Sequence, residues 1–209
     1  MDFLQVVAVI FSLLIAVAVH ECSHAFVADR LGDPTARLAG RVTLNPLAHI
    51  DIFGAIFLFL VGFGWGKPVP VNTRFFRRPV LHESLVSLAG PLSNFLFCLL
   101  VAGILHLFRD VLPYQVFRFL MTVFDMNLGL CIFNLFPFPP LDGSKFFRIL
   151  VPSKILPAYD RYLETGMMYT ILFLIFDAMI LSNILGYSVV SRVISVIFGV
   201  IKGTIFLGF

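Results

Sequence analysis

The feature that most constrains this chain is the motif HECSH at residues 20–24, which lies in the second half of an unbroken apolar run. Residues 3–19 contain no charge and only two polar side chains, which predicts a helix that lies in lipid. On such a helix His20 and His24 share one face, where two imidazole nitrogens can bind the same zinc ion. Glu21 is one position round, where it can polarise a water on that metal without ligating it. Ionisable groups in hydrocarbon are unfavourable unless they bind something, so a chance match is the weaker interpretation.

The composition indicates that the whole chain is an integral membrane protein. Of its 209 residues 59% are hydrophobic and 13% are charged, whereas soluble domains carry about 25% charged residues. No stretch is polar enough for a separate recognition or regulatory module, so we expect one membrane domain over residues 1–209. The first segment lacks a basic region and carries the metal motif, which argues against a cleaved signal peptide. The cysteines are expected to pack as small hydrophobic residues without a disulfide: Cys22, Cys98 and Cys131.

The apolar segments predict an all-α membrane protein, a polytopic helical bundle of about five to six transmembrane segments. They cover residues 3–28, 52–64, 85–108, 117–136, 163–185 and 188–209. Segment 52–64 is shorter than the roughly twenty residues of a span and ends in glycines, so we expect it to be re-entrant. Residues 40–46 alternate apolar and polar side chains, which predicts a short strand. The proline-rich residues 67–72 predict an open sheet edge, which can pair with an incoming peptide.

A second polar cluster, residues 134–143, follows the fourth apolar segment. The prolines at 137, 139 and 140 cannot continue a helix, so we expect the chain to unwind there and present Asp142 at membrane depth. Two histidines and one carboxylate form a common catalytic zinc set, which leaves the fourth position for water. Without the histidine motif, an ordinary turn before Gly143 would be an equally good interpretation of this aspartate.

The two parts of this site can meet only if both lie on the same side of the membrane. That requires an odd number of crossings through to the fourth apolar segment, and a re-entrant segment 52–64 satisfies the requirement. Eleven of the fifteen basic residues then fall on one side, which the positive-inside rule assigns to the cytoplasm. They are Arg30, Arg37, Arg41, Lys67, Arg74, Arg77, Arg78, Lys145, Arg148, Lys154 and Arg161. We therefore predict a multi-pass protein of the cell membrane, with its N-terminus outside and its metal nearer the cytoplasmic face.

Together these motifs resemble those of the site-2 proteases, zinc metalloproteases that cut peptide bonds inside membranes. The resemblance is to the short bacterial and archaeal members without PDZ or CBS domains, and it covers most of residues 15–150. It is carried by HECSH, GRVTLNPLAHID, WGKPVPVN, AGPLSN and NLFPFPPLDG. We accordingly expect a catalytic core at about residues 1–150 and peripheral helices at about residues 160–209. One departure is Ser144, which stands where the family commonly has a second glycine.

The resemblance implies one Zn²⁺ per chain, bound by His20, His24 and Asp142, with Glu21 as the general base. It also implies that Asn134 and Asn94 lie close to the site, where Asn134 helps to hold the substrate backbone or the oxyanion. For either asparagine the alternative is a hydrogen bond between helices. The partners would be transmembrane or membrane-tethered protein substrates in the lipid bilayer, and no nucleic acid. The other histidines are poorer ligand candidates: His49, His82 and His106.

Two rival functions also fit some of these features. A zinc transporter would place histidine and aspartate in membrane helices, but it needs ionisable residues along both halves of a pathway. The remaining apolar segments offer only Asp125, Asp177 and a few terminal charges. A catalytically inactive relative could bind membrane helices without cutting them, and the intact Glu21 argues against it.

Overall fold

The structure is a computed structural model that describes residues 3–54, 56 and 66–207. Five long helices occur in the described residues: α1 (Phe3–Arg30), α2 (Pro79–Leu107), α3 (Tyr114–Asn134), α4 (Leu156–Phe176) and α5 (Val189–Ile205). A π-helical turn, Asp177–Leu181, continues α4 into the short helix Ser182–Leu185. Further short helices are Thr35–Leu38, Pro46–Ala48, Thr73–Phe75, Asp142–Phe146 and Phe147–Leu150.

Four of these helices are long and apolar enough to cross a membrane, namely α1, α2, α3 and the continuous span Leu156–Leu185. Helix α5 has 17 residues, or about 25 Å, which is short of the roughly 30 Å hydrocarbon layer. The prediction of an all-α polytopic membrane protein is confirmed, with four candidate spans and one shorter apolar helix in the described residues. The predicted re-entrant segment 52–64 lies outside them, apart from residues 52–54 and 56.

Helices α1, α2 and α3 pack against one another and form the centre of the bundle. Helix α2 runs antiparallel to both neighbours. On α1, Ala16 contacts Asn94 and His24 contacts Val86. On α3, Asn127 contacts Asn94 and Phe124 contacts Cys98. The end of α1, the start of α2 and the end of α3 therefore lie together, and we call this the site end. The opposite half is filled by large buried apolar side chains such as Leu105 and Phe124.

Helix α1 ends at Arg30 because the next residues turn back on it. Gly32 adopts a φ of 107°, in the left-handed region that favours glycine, and the Asp33 amide donates to the Ala28 carbonyl. The Asp33 carboxylate is fully buried and accepts a hydrogen bond from the Asn72 amide at 2.6 Å. This contact fixes the chain that leads into α2 against the end of α1.

The two predicted strands do not form in residues 40–46 and 67–72. Gly40 has a φ of 68°, and Asn45 caps a 3-10 turn, so the apolar and polar alternation never becomes a ladder. Residues 67–72 are extended up to the next 3-10 turn, but in the described chain the nearest pairing is an isolated antiparallel bridge between Ile50 and Gly66.

A buried cluster around Arg41 takes the place of the predicted strand pair. The Arg41 guanidinium donates to the carbonyls of Lys67 and Pro68 and lies 3.3 Å from Nδ1 of His49. His49 is fully buried; its Nε2 donates to the Thr43 carbonyl at 2.8 Å, and its own carbonyl accepts from the Lys67 amide. We call these contacts the Arg41 clasp. They hold the chain before residue 51 directly against the chain after residue 65.

Candidate metal centre

The three predicted ligands converge at the site end of the bundle. Nε2 of His20 lies 2.9 Å from Oδ2 of Asp142, and Nε2 of His24 lies 3.2 Å from the same oxygen. One ligand atom from each residue lies within 4.8 Å of the other two. Both histidines are buried and the aspartate is half-buried. The chain thus brings together two nitrogen ligands from α1 and one oxygen ligand from 118 residues further along.

Each histidine is oriented by a second contact on its other ring nitrogen. Nδ1 of His24 lies 2.7 Å from the Val86 carbonyl, and a carbonyl can only accept, so this nitrogen carries the proton. Nδ1 of His20 lies 2.6 Å from Oδ1 of Asn94. With Nδ1 donating in both rings, the two Nε2 lone pairs face the common centre, which is the arrangement that metal-bound histidines require.

Asn94 is held in place by contacts on all its polar atoms. Its Nδ2 donates to the Ala16 carbonyl at 3.0 Å and to Oδ1 of Asn127 at 2.8 Å, while its Oδ1 faces His20. Both N–H groups are therefore used, and none is left for a substrate or an oxyanion. The structure shows the interhelical hydrogen bonds that were the alternative for Asn94, and adds a contact with the predicted ligand His20.

Asp142 reaches the histidines because the chain doubles back over the end of α3. A Cβ at Gly143 would lie 2.5 Å from the backbone of Leu135 and Phe136, so only glycine fits this close approach. Burial by itself raises the pKa of the Asp142 carboxyl, but His24 and His20 hold that pKa well below its usual range. A carboxylate in this position can serve as the third ligand.

Space for a metal is provided by Gly90 on α2. A Cβ there would lie 2.7 Å from Nε2 of His20 and closer still to Nε2 of His24. This glycine leaves open the face on which the two imidazole lone pairs converge. Two imidazoles and one carboxylate, with room beside them at Gly90, form a donor set that fits catalytic zinc.

Glu21 lies beside this centre with a half-buried side chain. A Cβ at Gly66 would be 4.0 Å from its Oε1, so the backbone of the extended segment passes next to the carboxylate. No residue that the structure describes donates a hydrogen bond to Glu21. Its carboxylate is therefore available to accept a proton from another group.

The structure also locates the other residues considered in the sequence. Nδ2 of Asn134 donates to the Leu130 carbonyl at 3.0 Å, near the end of α3, which leaves it a second N–H. Asp125 pairs with Lys202 at 2.6 Å, and Asp177 accepts hydrogen bonds from the first amides of α5. His82 contacts the ring of Phe76 and is not part of the ligand cluster.

Sequence reasoning missed three supports of this site. The Val86 carbonyl has no side-chain signal, because every residue carries a carbonyl. Asn127 had a signal, since it is a lone amide in an apolar segment, but nothing in the sequence linked it to His20. The third support is α4, where Tyr159 donates to the Ser144 carbonyl and Tyr162 donates to the Pro137 carbonyl. The helix predicted to be peripheral therefore holds both ends of the loop that carries the aspartate.

Comparison with known proteins agrees with the family resemblance that the sequence motifs indicate. Residues 8–112 match the family model described as peptidase family M50. YwhC of Bacillus subtilis (strain 168), named as a candidate zinc metalloprotease, is 42% identical over 158 residues, which cover 70% of each chain. Rip2 of Mycobacterium tuberculosis (strain H37Rv), named in the same way, is 30% identical over 175 residues, or 81% of this chain and 65% of Rip2. No solved structure gives a significant match.

Proposed function

The chain belongs to peptidase family M50, and on this premise we propose that it hydrolyses peptide bonds within or beside the transmembrane segments of other membrane proteins. The predicted resemblance to the site-2 proteases is confirmed, and Zn²⁺ is the cofactor. The observation that carries the proposal is the convergence of the two Nε2 atoms of His20 and His24 on one oxygen of Asp142. Each histidine of this donor set is oriented by a contact on its Nδ1 atom, and the set lies within an apolar bundle.

The metal and the carboxylate beside it have different roles in the proposed reaction. Bound zinc supplies a Lewis acid that activates a water molecule and polarises the scissile carbonyl. Glu21 accepts the proton of the attacking water on its carboxylate and returns it to the leaving amine. The ring proton of His20 stays on Nδ1, facing Asn94, and the ring proton of His24 stays on its Nδ1, facing the Val86 carbonyl. Neither ring therefore competes with Glu21 for the transferred proton.

The substrate must present an extended backbone, because a helix hides its carbonyls in hydrogen bonds. Val69 and Val71 offer a short free edge for such a backbone, a few residues after Gly66, which passes beside Glu21. The backbone N–H and C=O groups of Val69 and Val71 bond to no residue that the structure describes. A peptide can add to such an edge by main-chain hydrogen bonds. The second N–H of Asn134 is the donor that we assign to the substrate backbone or the oxyanion.

We place the site end on the cytoplasmic side of the cell membrane, with the N-terminus outside. The basic residues listed above cluster at this end, for instance Arg30 at the end of α1 and Arg78 before α2. Ile50 and Gly66 pair directly, so the chain is on one side of the membrane both before and after residues 51–65. Reporter fusions at residues 75 and 112 should label opposite sides. A common side for both reporters would contradict this topology.

The two rival functions gain no support from the contacts. The carboxylates that a transport pathway would need are engaged elsewhere, Asp125 with Lys202 and Asp177 with the start of α5. An inactive binding protein would not need Glu21 beside an oriented donor set. Proteolysis is the function that uses all four residues of the centre.

Substitution of Glu21 tests the proposal. Glu21→Gln keeps the size of the side chain and the three ligands but removes the proton acceptor. Reconstituted Glu21→Gln should bind one zinc per chain and cleave single-span substrates about a hundredfold to ten-thousandfold more slowly than wild type. Glu164→Gln, which changes an exposed glutamate on α4, is the matched control and should cleave normally. Equal processing by wild type and Glu21→Gln would overturn the assignment.

A further inference from the structure

A chain of buried amides connects α3 to the metal centre. Asn127 of α3 is fully buried, touches none of the three ligands and lies where no substrate can reach it. Its Nδ2 donates to the Val123 carbonyl at 2.8 Å, and its Oδ1 accepts from Nδ2 of Asn94 at 2.8 Å. Asn94 in turn contacts Nδ1 of His20. Three side chains from three helices thus form one continuous path of hydrogen bonds.

The direction of every bond in this path is fixed by two backbone carbonyls. The Val123 carbonyl can only accept, so the atom of Asn127 that faces it is the amide nitrogen, and its oxygen faces Asn94. The Ala16 carbonyl fixes the amide nitrogen of Asn94 in the same way. The oxygen of Asn94 then faces His20, which places the ring proton on Nδ1 and the lone pair on Nε2.

Asn127 completes the set of acceptors that Asn94 needs. The amide nitrogen of Asn94 has two N–H groups, of which one donates to Ala16 and the other to Asn127. An N–H without an acceptor is strongly unfavourable in apolar surroundings. Without the oxygen of Asn127, Asn94 would turn towards another acceptor and carry its own oxygen away from His20.

We infer that Asn127 is a positioning residue for the zinc ligand His20, acting through Asn94. The inference rests on the proposed function and deepens it. It assigns a role in metal binding to a side chain on a helix that provides no ligand. Groups that orient metal-bound histidines typically contribute 10-fold to 100-fold in metal affinity.

Zinc affinity is the measurement that tests this role. Zinc-free protein in detergent would be titrated against a chelator that competes for zinc. Asn127→Leu and Asn127→Ala should each weaken zinc binding about tenfold. Two variants are used because leucine keeps the volume and alanine avoids crowding. Thr122→Val is the matched control: Thr122 also lies on α3, and its hydroxyl donates to the Arg118 carbonyl on the same helix, so its removal should leave zinc affinity unchanged.

A double variant separates positioning from a general loss of packing. In an Asn94→Leu background the path is already broken, so Asn127→Leu should weaken zinc binding no further. Wild-type affinity in both Asn127 variants would overturn the inference, and so would an equal additional loss in the Asn94→Leu background. His20→Ala tests the centre itself. If His20→Ala keeps wild-type affinity, the proposed function fails; if it loses zinc while the Asn127 variants do not, only this inference fails.

Discussion

Helix α2 has 29 residues and the span Leu156–Leu185 has 30, and both are apolar enough to cross a membrane. In the most apolar 18-residue stretch of α2, 39% of the residues are buried inside the protein. In the corresponding stretch of the later span, 11% are buried. Helix α2 is joined to both neighbours by buried polar contacts of Asn94, whereas Thr170 and Asp177 are the buried polar residues of the later span. Apolar character therefore indicates that a helix lies in lipid, and buried polar contacts indicate which helices build the site.

This comparison divides the molecule into two parts. The site part consists of α1, α2, α3 and the loop that carries Asp142, and the outer part consists of α4 and α5. The outer part packs on the site part through apolar side chains of α5 and through polar contacts, among them the pair of Lys202 with Asp125 and the pair of Arg148 with Asp160. If the division is correct, substitutions in the site part change zinc binding, and substitutions at the junction leave zinc bound.

The largest expected difference in zinc content and activity is between variants of two aspartates, Asp142 and Asp125. Asp142→Asn removes a charged ligand, so the protein should lose zinc and its activity should fall at least about a thousandfold. Asp125→Asn removes the partner of Lys202 and should keep one zinc per chain. Zinc content and cleavage of a single-span substrate would be measured for both. Loss of zinc from Asp125→Asn would show that the junction belongs to the site.

The second test compares two glycines of α2. Gly90→Ala places a methyl group against the rings of His20 and His24, so we expect zinc affinity to fall at least about a hundredfold. Gly103→Ala has nothing within 4 Å of the added methyl and should leave zinc affinity unchanged. The same competition with a chelator checks both variants. Normal zinc affinity in Gly90→Ala would mean that the metal does not lie between the two rings and α2.

The third test concerns the ion pairs at the site end. Arg148 pairs with Asp160 at 2.7 Å and with Glu83 at 3.1 Å, and the hydrogen bond to Asp160 raises the pKa of the guanidinium. Arg148→Met leaves both carboxylates without their partner and loosens the chain that follows Asp142. We expect activity to fall about tenfold, an effect of about 1.4 kcal/mol, with zinc still bound.

The matched control for Arg148 is Arg37, which forms a more exposed pair with Asp29. Arg37→Met should change activity less than twofold, because exposed ion pairs contribute about 0–1 kcal/mol. Equal effects of the two substitutions would show that the network around Arg148 does nothing beyond an ordinary surface ion pair.

The smallest effect is expected at the contact between α5 and α3. Lys202→Met removes the ion pair with Asp125 and the contacts of the ammonium group with the rings of Phe124 and Phe198. The midpoint of thermal unfolding in detergent should fall by roughly 2–4 °C, as expected for a loss of about 1 kcal/mol. Zinc affinity should not change. Arg192→Met, at an exposed position of the same helix, should leave both quantities as in wild type.

The three proposed ligands could be identified in the sequence because their signals are local. The spacing of His20 and His24 fixes a common face on any helix, and three prolines before Asp142 stop a helix wherever it lies. The requirement that these groups meet then predicted an odd number of crossings. The described chain shows three long helices up to Asp142, and the number of crossings stays a prediction.

The rest could not be predicted because it depends on contacts between distant segments. The alternation in residues 40–46 indicated a strand, but the buried Arg41 uses its guanidinium to bind the very carbonyls that a strand pair would need. The polar atoms of Asn94 could have faced a substrate or another helix, and only the positions of Ala16 and Asn127 decide between them. The close approaches at Gly90 and Gly143 likewise require the folded chain.

The Arg41 clasp has a consequence for how Gly66 is held beside Glu21. It holds Ile50 beside Gly66 by contacts that lie wholly outside residues 51–65. The backbone that borders the Glu21 carboxylate therefore takes its position from Arg41 and His49, two buried residues that come earlier in the chain.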